Sequence, residues 1–269
     1  AVGSKSLDAN TTADNNTAVG YHSMTVNTTG TKNTAIGSLS LDANTEADHN
    51  TALGYHSMSV NTIGTQNTAI GYQALGANTT AANNTAVGSA ALDANTSGTS
   101  NTAIGKGSLS ANQTANENTA VGYNALAVNI AANNTAVGSL ALDANEGGTA
   151  NTAVGKSALT TNVSANENTA IGYNTLAVNE TGAYNTAVGS AALDANTSAS
   201  YNTAVGKGSL SANTTGTANT GVGYLALAAN TTASNNTAVG YAALDATLIG
   251  AQNTAVGRSA LGQTTSSNN

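Results

Sequence analysis

Residues 67–83 read NTAIGYQALGANTTAAN, and residues 84–100 read NTAVGSAALDANTSGTS. The two segments agree in places one to five (Asn, Thr, Ala, a branched aliphatic residue, Gly), at Ala-Leu in places eight and nine, and at Asn-Thr in places twelve and thirteen. The same 17-residue unit runs outward in both directions. Its opening Asn stands at Asn16, Asn33, Asn50, Asn67, Asn84, Asn101, Asn118, Asn134 and onward to Asn253, with one step of 16 between Asn118 and Asn134. Self-similarity at a fixed period is the mark of stacked repeats, each burying its apolar face on the next. The 269 residues hold sixteen such coils, the first lacking its Asn-Thr. They read as a single repeat domain over 1–269 with a polar end at 262–269. At strand spacing, about 4.8 Å per coil, they form a rod of roughly 75 Å.

The choice between stacked β-coils and helical repeats follows from residue types. Asn, Thr and Gly fill too much of each unit for a stable helix, and the stretch between breakers is too short. Asn-Thr-Ala-Val suits a strand of about four residues, with a second strand expected around the Leu column. The predicted class is therefore all-β, a parallel β-solenoid or β-roll.

Each column then asks for a role. Place four is always Val, Ile or Leu (Val19, Ile70, Ile104) and place nine always Leu or Met (Leu41, Leu92, Leu126). These are the two columns of large apolar groups and the expected core. Strand residues alternate between faces. If place four points inward, so does the Thr of place two (Thr17, Thr34, Thr68, Thr102), and the Ala of place three points out. An outward Ala face, broken only by Gly221, is expected to lie flat against another chain. The place-five glycines imply a positive φ or a backbone approach too close for a Cβ. Asn at place one (Asn16, Asn33, Asn67, Asn101) and at place twelve is expected to turn corners and to bond coil to coil as an amide ladder. Thr247 and Thr264 are the exceptions at place twelve.

A slower rhythm overlies the coils. Place six reads Tyr72, Ser89, Lys106, then Tyr123, Ser139, Lys156, then Tyr173, Ser190, Lys207, a three-coil block that recent duplication explains. A surface stripe matched to a partner lattice is the functional alternative. Tyr72, Tyr123 and Tyr173 are the candidate surface contacts, since amphipathic Tyr covers apolar surface and also serves sugar-binding grooves.

With the repeat in view, N-T-A-[VI]-G-Y-x-A-L followed by A-N-T-T resembles the repeats in shafts of phage tail fibres and in large bacterial surface proteins. It is also similar, with a longer period, to the N-S-V-A-I-G coils in heads of trimeric autotransporter adhesins. The resemblance covers the whole chain. It implies a left-handed β-roll, a homotrimer, and a place on a cell or virion surface.

Chemistry is sparse. The formal charge is -7 with no clustered cations, which disfavours nucleic acid. No apolar run approaches a bilayer span, so no membrane insertion is expected. Absent cysteine excludes disulfides and thiolate metal sites. Gly155-Lys156-Ser157 lacks the upstream glycine of a phosphate loop, having Ala150 there, and Lys106 and Lys207 repeat the same Gly-Lys pair. His22 and His56 share a place two coils apart, about 10 Å, and His49 belongs to another corner, so they do not converge on one ion. Asp42, Asp93, Asp143, Asp194 and Asp245 recur every third coil, too far apart for a calcium site or a catalytic pair. Ser has no His and Asp set to activate it. Glycosylation sequons such as Asn10, Asn78, Asn95 and Asn213 follow from an Asn-Thr-rich composition.

The expected function is therefore structural: a segment of an extracellular or virion fibre, adhesive, without cofactor, metal or catalysis. Expected partners are other copies of itself and a host-surface glycan or protein. The chain begins at place three and ends at place seventeen, so a second copy could stack end to end nearly in phase. Any export signal or anchor is expected outside these residues. The alternative is a ligand- or ice-binding solenoid with Thr ladders. Against it, place-two Thr is assigned inward, and place-thirteen Thr is interrupted by Gln113, Ile130, Glu146, Val163, Glu180 and Leu248.

Overall fold

The computed structural model describes residues 1–246, 250–262 and 267–268. Thr247, Leu248, Thr264 and most of the polar end at 262–269 lie outside the described residues. The chain is an all-β parallel solenoid with a 17-residue spacing. Among the described residues fifteen strands mark about fourteen complete turns, somewhat fewer than sixteen coils. Two compact units are distinguished, Ala1–Asn133 and Asn134–Asn269. Their boundary falls at the end of the one coil that has 16 residues.

The first unit carries β1 (Thr17–Val19) to β7 (Thr119–Val121), and the second β8 (Thr135–Val137) to β15 (Thr254–Val256). Each strand is the three-residue segment from place two to place four. Within each unit consecutive strands pair in parallel and in exact column register, as in Thr68↔Thr85, Ala69↔Ala86 and Ile70↔Val87.

No second strand forms around the Leu column. Places six to eleven are a run of turns among the described residues. Their backbone still bonds coil to coil: the Leu41 amide donates to Ser57 O at 3.1 Å, and the Leu92 amide to Ser108 O at 3.0 Å. The turns arise because places seven and nine are left-handed, with Gln73 at φ 53°, Leu75 at 50°, Ala90 at 54° and Leu92 at 51°. Place seventeen is left-handed too, as at Gln66 and Asn83. The Asn columns are not: Asn33, Asn67, Asn27 and Asn44 have no positive φ, so corners are turned by their neighbours. Left-handed geometry is worst for β-branched side chains. Accordingly, none of these three places holds Thr, Val or Ile at any described coil of this Thr-rich chain.

The strand faces are the reverse of the expectation. Ala35, Ala52, Ala69, Ala86 and Ala103 are fully buried, while Val19, Ile70 and Ile104 face outward, with Val19 37% exposed. Leu41, Leu92 and Leu126 are fully buried. A Cβ built on Gly221, at the Ala place, would stand 3.4 Å from Leu210 Cγ, so the inward strand face packs against the Leu column. One large side chain per coil fills so narrow an interior, and the residue opposite it must be small. An outward Ala contact with another chain therefore has no basis.

Place-five glycines combine both predicted demands. Their φ lies near +135°, as at Gly71 (134°), a region essentially restricted to glycine. A Cβ on Gly71 would also stand 2.5 Å from the carbonyl oxygen of Gly88 in the next coil.

The buried amides form two ladders. At place one, Asn84 Oδ1 accepts the Asn101 amide at 2.9 Å, and Asn84 Nδ2 donates to Gly98 O at 2.9 Å. At place twelve, Asn95 Nδ2 donates to the same Gly98 O at 3.0 Å and to Asn78 Oδ1 at 3.2 Å. The shared acceptor is place fifteen, and it alternates: Gly30, Ala47, Gly64, Ala81, Gly98, Ala115 in the first unit, and Gly148, Ala165, Gly182, Ala199, Gly216, Ala233, Gly250 in the second. The 16-residue coil interrupts the alternation, since Asn129 Nδ2 donates to Ala131 O at 2.7 Å, an Ala after the Ala of the coil before it. The amide ladder alternates with it. Asn44 and Asn78, on Ala coils, reach the preceding Asn at 2.7 and 2.8 Å. Asn61 and Asn95, on Gly coils, do so at 3.3 and 3.2 Å. A Cβ on Gly64 would overlap the Ala81 carbonyl oxygen.

Candidate functional site

A solenoid offers surfaces rather than clefts, so each outward column is weighed by what it presents. Places two and four form the outer face of the strands. Thr occupies place two, and Val, Ile or Leu place four, in every strand of both units. Among the described residues the place-two hydroxyls form no hydrogen bond, at Thr34, Thr68, Thr102 or any other strand. Thr at place thirteen behaves differently: the Thr62 and Thr79 hydroxyls donate to Thr79 O and Thr96 O, at 3.1 and 3.2 Å. The outer face is thus a row of free hydroxyls beside a row of methyls, with no titratable group.

The tyrosines of place six are about half exposed, Tyr72 and Tyr123 at 51% and Tyr173 at 53%. Tyr72 and Tyr123 stand three coils apart in the first unit and are not brought together. Tyr72 instead stacks on Tyr55, with centroids 5.9 Å apart, and Tyr224 on Tyr241 at 5.2 Å. Tyr184 and Tyr201 form a further stack at place seventeen, 5.2 Å apart. His22 and His56 lean on Tyr21 and Tyr55 in their own coils.

The Asp column is half-buried. Burial pushes the carboxyls of Asp42, Asp93, Asp143 and Asp194 above the usual range, against hydrogen bonds from local backbone that pull them down. One oxygen of Asp42, Asp93 and Asp143 is enclosed without a partner. Asp93 borders a shallow hollow of about 330 Å³ with Ser59, Gln73 and Gly76, where the missing side chain of Gly76 leaves room. Asp48 moves the other way, held down chiefly by the Thr31 backbone amide and also by its hydroxyl at 2.9 Å. Of the sequons, Asn78, Asn95 and Asn213 are fully buried in the amide ladder, closed to a glycosylating enzyme in the folded chain.

Comparison with family models, curated proteins and solved structures finds no match. The reading of the surface rests on its own geometry.

The outward Thr column was misplaced by sequence reasoning. A usable signal existed: place three is never larger than Ala, as an interior place opposite a Leu column requires, whereas place four varies among Val, Ile and Leu.

Proposed function

We propose that the chain is a structural, adhesive segment of a fibre displayed on a cell or virion surface, associating with further copies of itself. The observation that carries this reading is the self-similar stacking. Each coil is held by its neighbours through in-register backbone bonds and two amide ladders, and what the repeat builds is length. Side-by-side assembly and attachment to a surface glycan or protein then fall to exposed side chains, of which the place-six tyrosines are the largest. Electron microscopy and light scattering on the purified protein test it. Elongated multimers are expected, with weaker association in a Tyr72→Ala, Tyr123→Ala, Tyr173→Ala variant. Compact monomers at all concentrations refute it.

A further inference from the structure

We propose that the outward strand face binds ice. The face is a two-dimensional lattice. Along the solenoid axis, Thr repeats on Thr and Val on Val at strand spacing, about 4.8 Å. Across each strand, the Thr and aliphatic side chains of places two and four are two residues apart, roughly 6.7 Å. These two distances lie close to the oxygen repeats of exposed planes of hexagonal ice. Both rows are unbroken over β1 to β7 and again over β8 to β15.

Chemistry and regularity agree with the spacing. The place-two hydroxyls are free to bond water, while the neighbouring methyl rows restrict where that water sits. Charged groups, which would hold water in a non-ice arrangement, are missing from both rows. Other surface columns have diverged: place six mixes Tyr, Ser and Lys, and place seventeen mixes Lys, His, Gln, Glu and Tyr. Strand preference contributes to the constancy of these two columns, and the unbroken rows it leaves match a partner that is itself periodic. A macromolecular partner is recognised through a few anchoring aromatics and arginines within a varied rim, which this face lacks. A second copy laid face to face would bury a full row of hydroxyls against methyls, a costly desolvation.

This goes beyond the fibre reading and is independent of it, since adsorption needs one copy. The test is thermal hysteresis, together with incorporation of fluorescently labelled protein into a growing ice hemisphere. The wild-type chain is expected to show hysteresis and to enter the ice. Thr68→Tyr and Thr85→Tyr place bulky residues at strand positions in the middle of the β1 to β7 row, and the double variant should lose about half of both effects with an unchanged circular dichroism spectrum. Ser97→Tyr, on an exposed place fourteen, should keep them. Absence of hysteresis in folded wild type overturns the inference, as does full activity in the Thr68→Tyr, Thr85→Tyr variant. A wild-type oligomer that lacks hysteresis and is dissolved by the Tyr pair also overturns it, and assigns the face to a second copy. Filaments without ice activity leave the fibre reading standing alone.

Discussion

Replacing Asn84 by Ala isolates one rung of the place-one ladder. Asn84 is buried, and its side chain makes two bonds: Oδ1 accepts the Asn101 amide, and Nδ2 donates to Gly98 O. The two losses are unequal. Gly98 O keeps a second donor, Asn95 Nδ2 at 3.0 Å, so losing the first costs about 0.5–1.5 kcal/mol. The Asn101 amide keeps none in a fully buried place, and an orphaned buried donor costs about 1–3 kcal/mol. Together the variant should be less stable by about 1.5–4.5 kcal/mol, most of it from a backbone group the mutation does not touch. Each 1.36 kcal/mol is a factor of ten, so exchange of the Asn101 amide with solvent deuterium should accelerate about 10- to 2000-fold. Urea unfolding followed by circular dichroism gives the global value, and Ser97→Ala, an exposed place with no side-chain bond, should stay within about 0.5 kcal/mol of wild type. An Asn84→Ala chain with unchanged stability and an Asn101 amide exchanging at the wild-type rate would refute the ladder as a source of cohesion.

Two further predictions follow from backbone sign and from burial. Leu92 sits at φ 51°, so Leu92→Ile, equal in volume but β-branched, should cost about 2–3 kcal/mol, whereas Leu92→Met should cost under about 1.5 kcal/mol and Val87→Ile, on the extended strand, about 0.5 kcal/mol or less; equal effects of Ile and Met at Leu92, by thermal unfolding, would contradict this. The raised carboxyls of Asp42, Asp93, Asp143 and Asp194 mean that the folded state holds these protons more tightly than the unfolded one. Their contribution to stability therefore rises as pH falls through the raised folded values toward the ordinary carboxylate value of about 3.9, and is lost above them. Asp48 opposes this in more acid solution, where its lowered carboxyl takes up a proton and gives up the Thr31 bonds. Replacing the four residues with Asn should raise the melting temperature at pH 7 and flatten its acid-side slope, and a steeper slope in that variant would count against burial as the cause.

The period, the parallel stacking, the buried Leu column and the amide ladders were legible because each needs only identity at a fixed spacing. The strand's inward side was not. Alternation groups Thr68 with Ile70 and leaves Ala69 opposed to them, but it says nothing of which set faces in. Placing both large columns inside asks for more room than one coil encloses, since Leu75 and its stacked equivalents already fill it. The absence of a second strand has its signal in the letters: Thr, Val and Ile avoid places seven, nine and seventeen, as left-handed backbone demands. Free hydroxyls at place two depend on the absence of an acceptor within reach, which no column of letters displays.

Among the 17-residue coils of each unit, the alternation of Gly and Ala at place fifteen sets a parity. Coils look interchangeable by their opening Asn-Thr-Ala, so a folding chain could be expected to stack on the wrong neighbour. A slip of one coil sets Gly beside Gly and Ala beside Ala, where the short and long amide spacings no longer mesh; a slip of two restores the match. The natural quantum of this stacking is thus a pair of coils, 34 residues. The three-coil rhythm of the surface runs on a different count. The two agree only every sixth coil, so an array of seven or eight strands has almost no second register in which inside and outside are both satisfied.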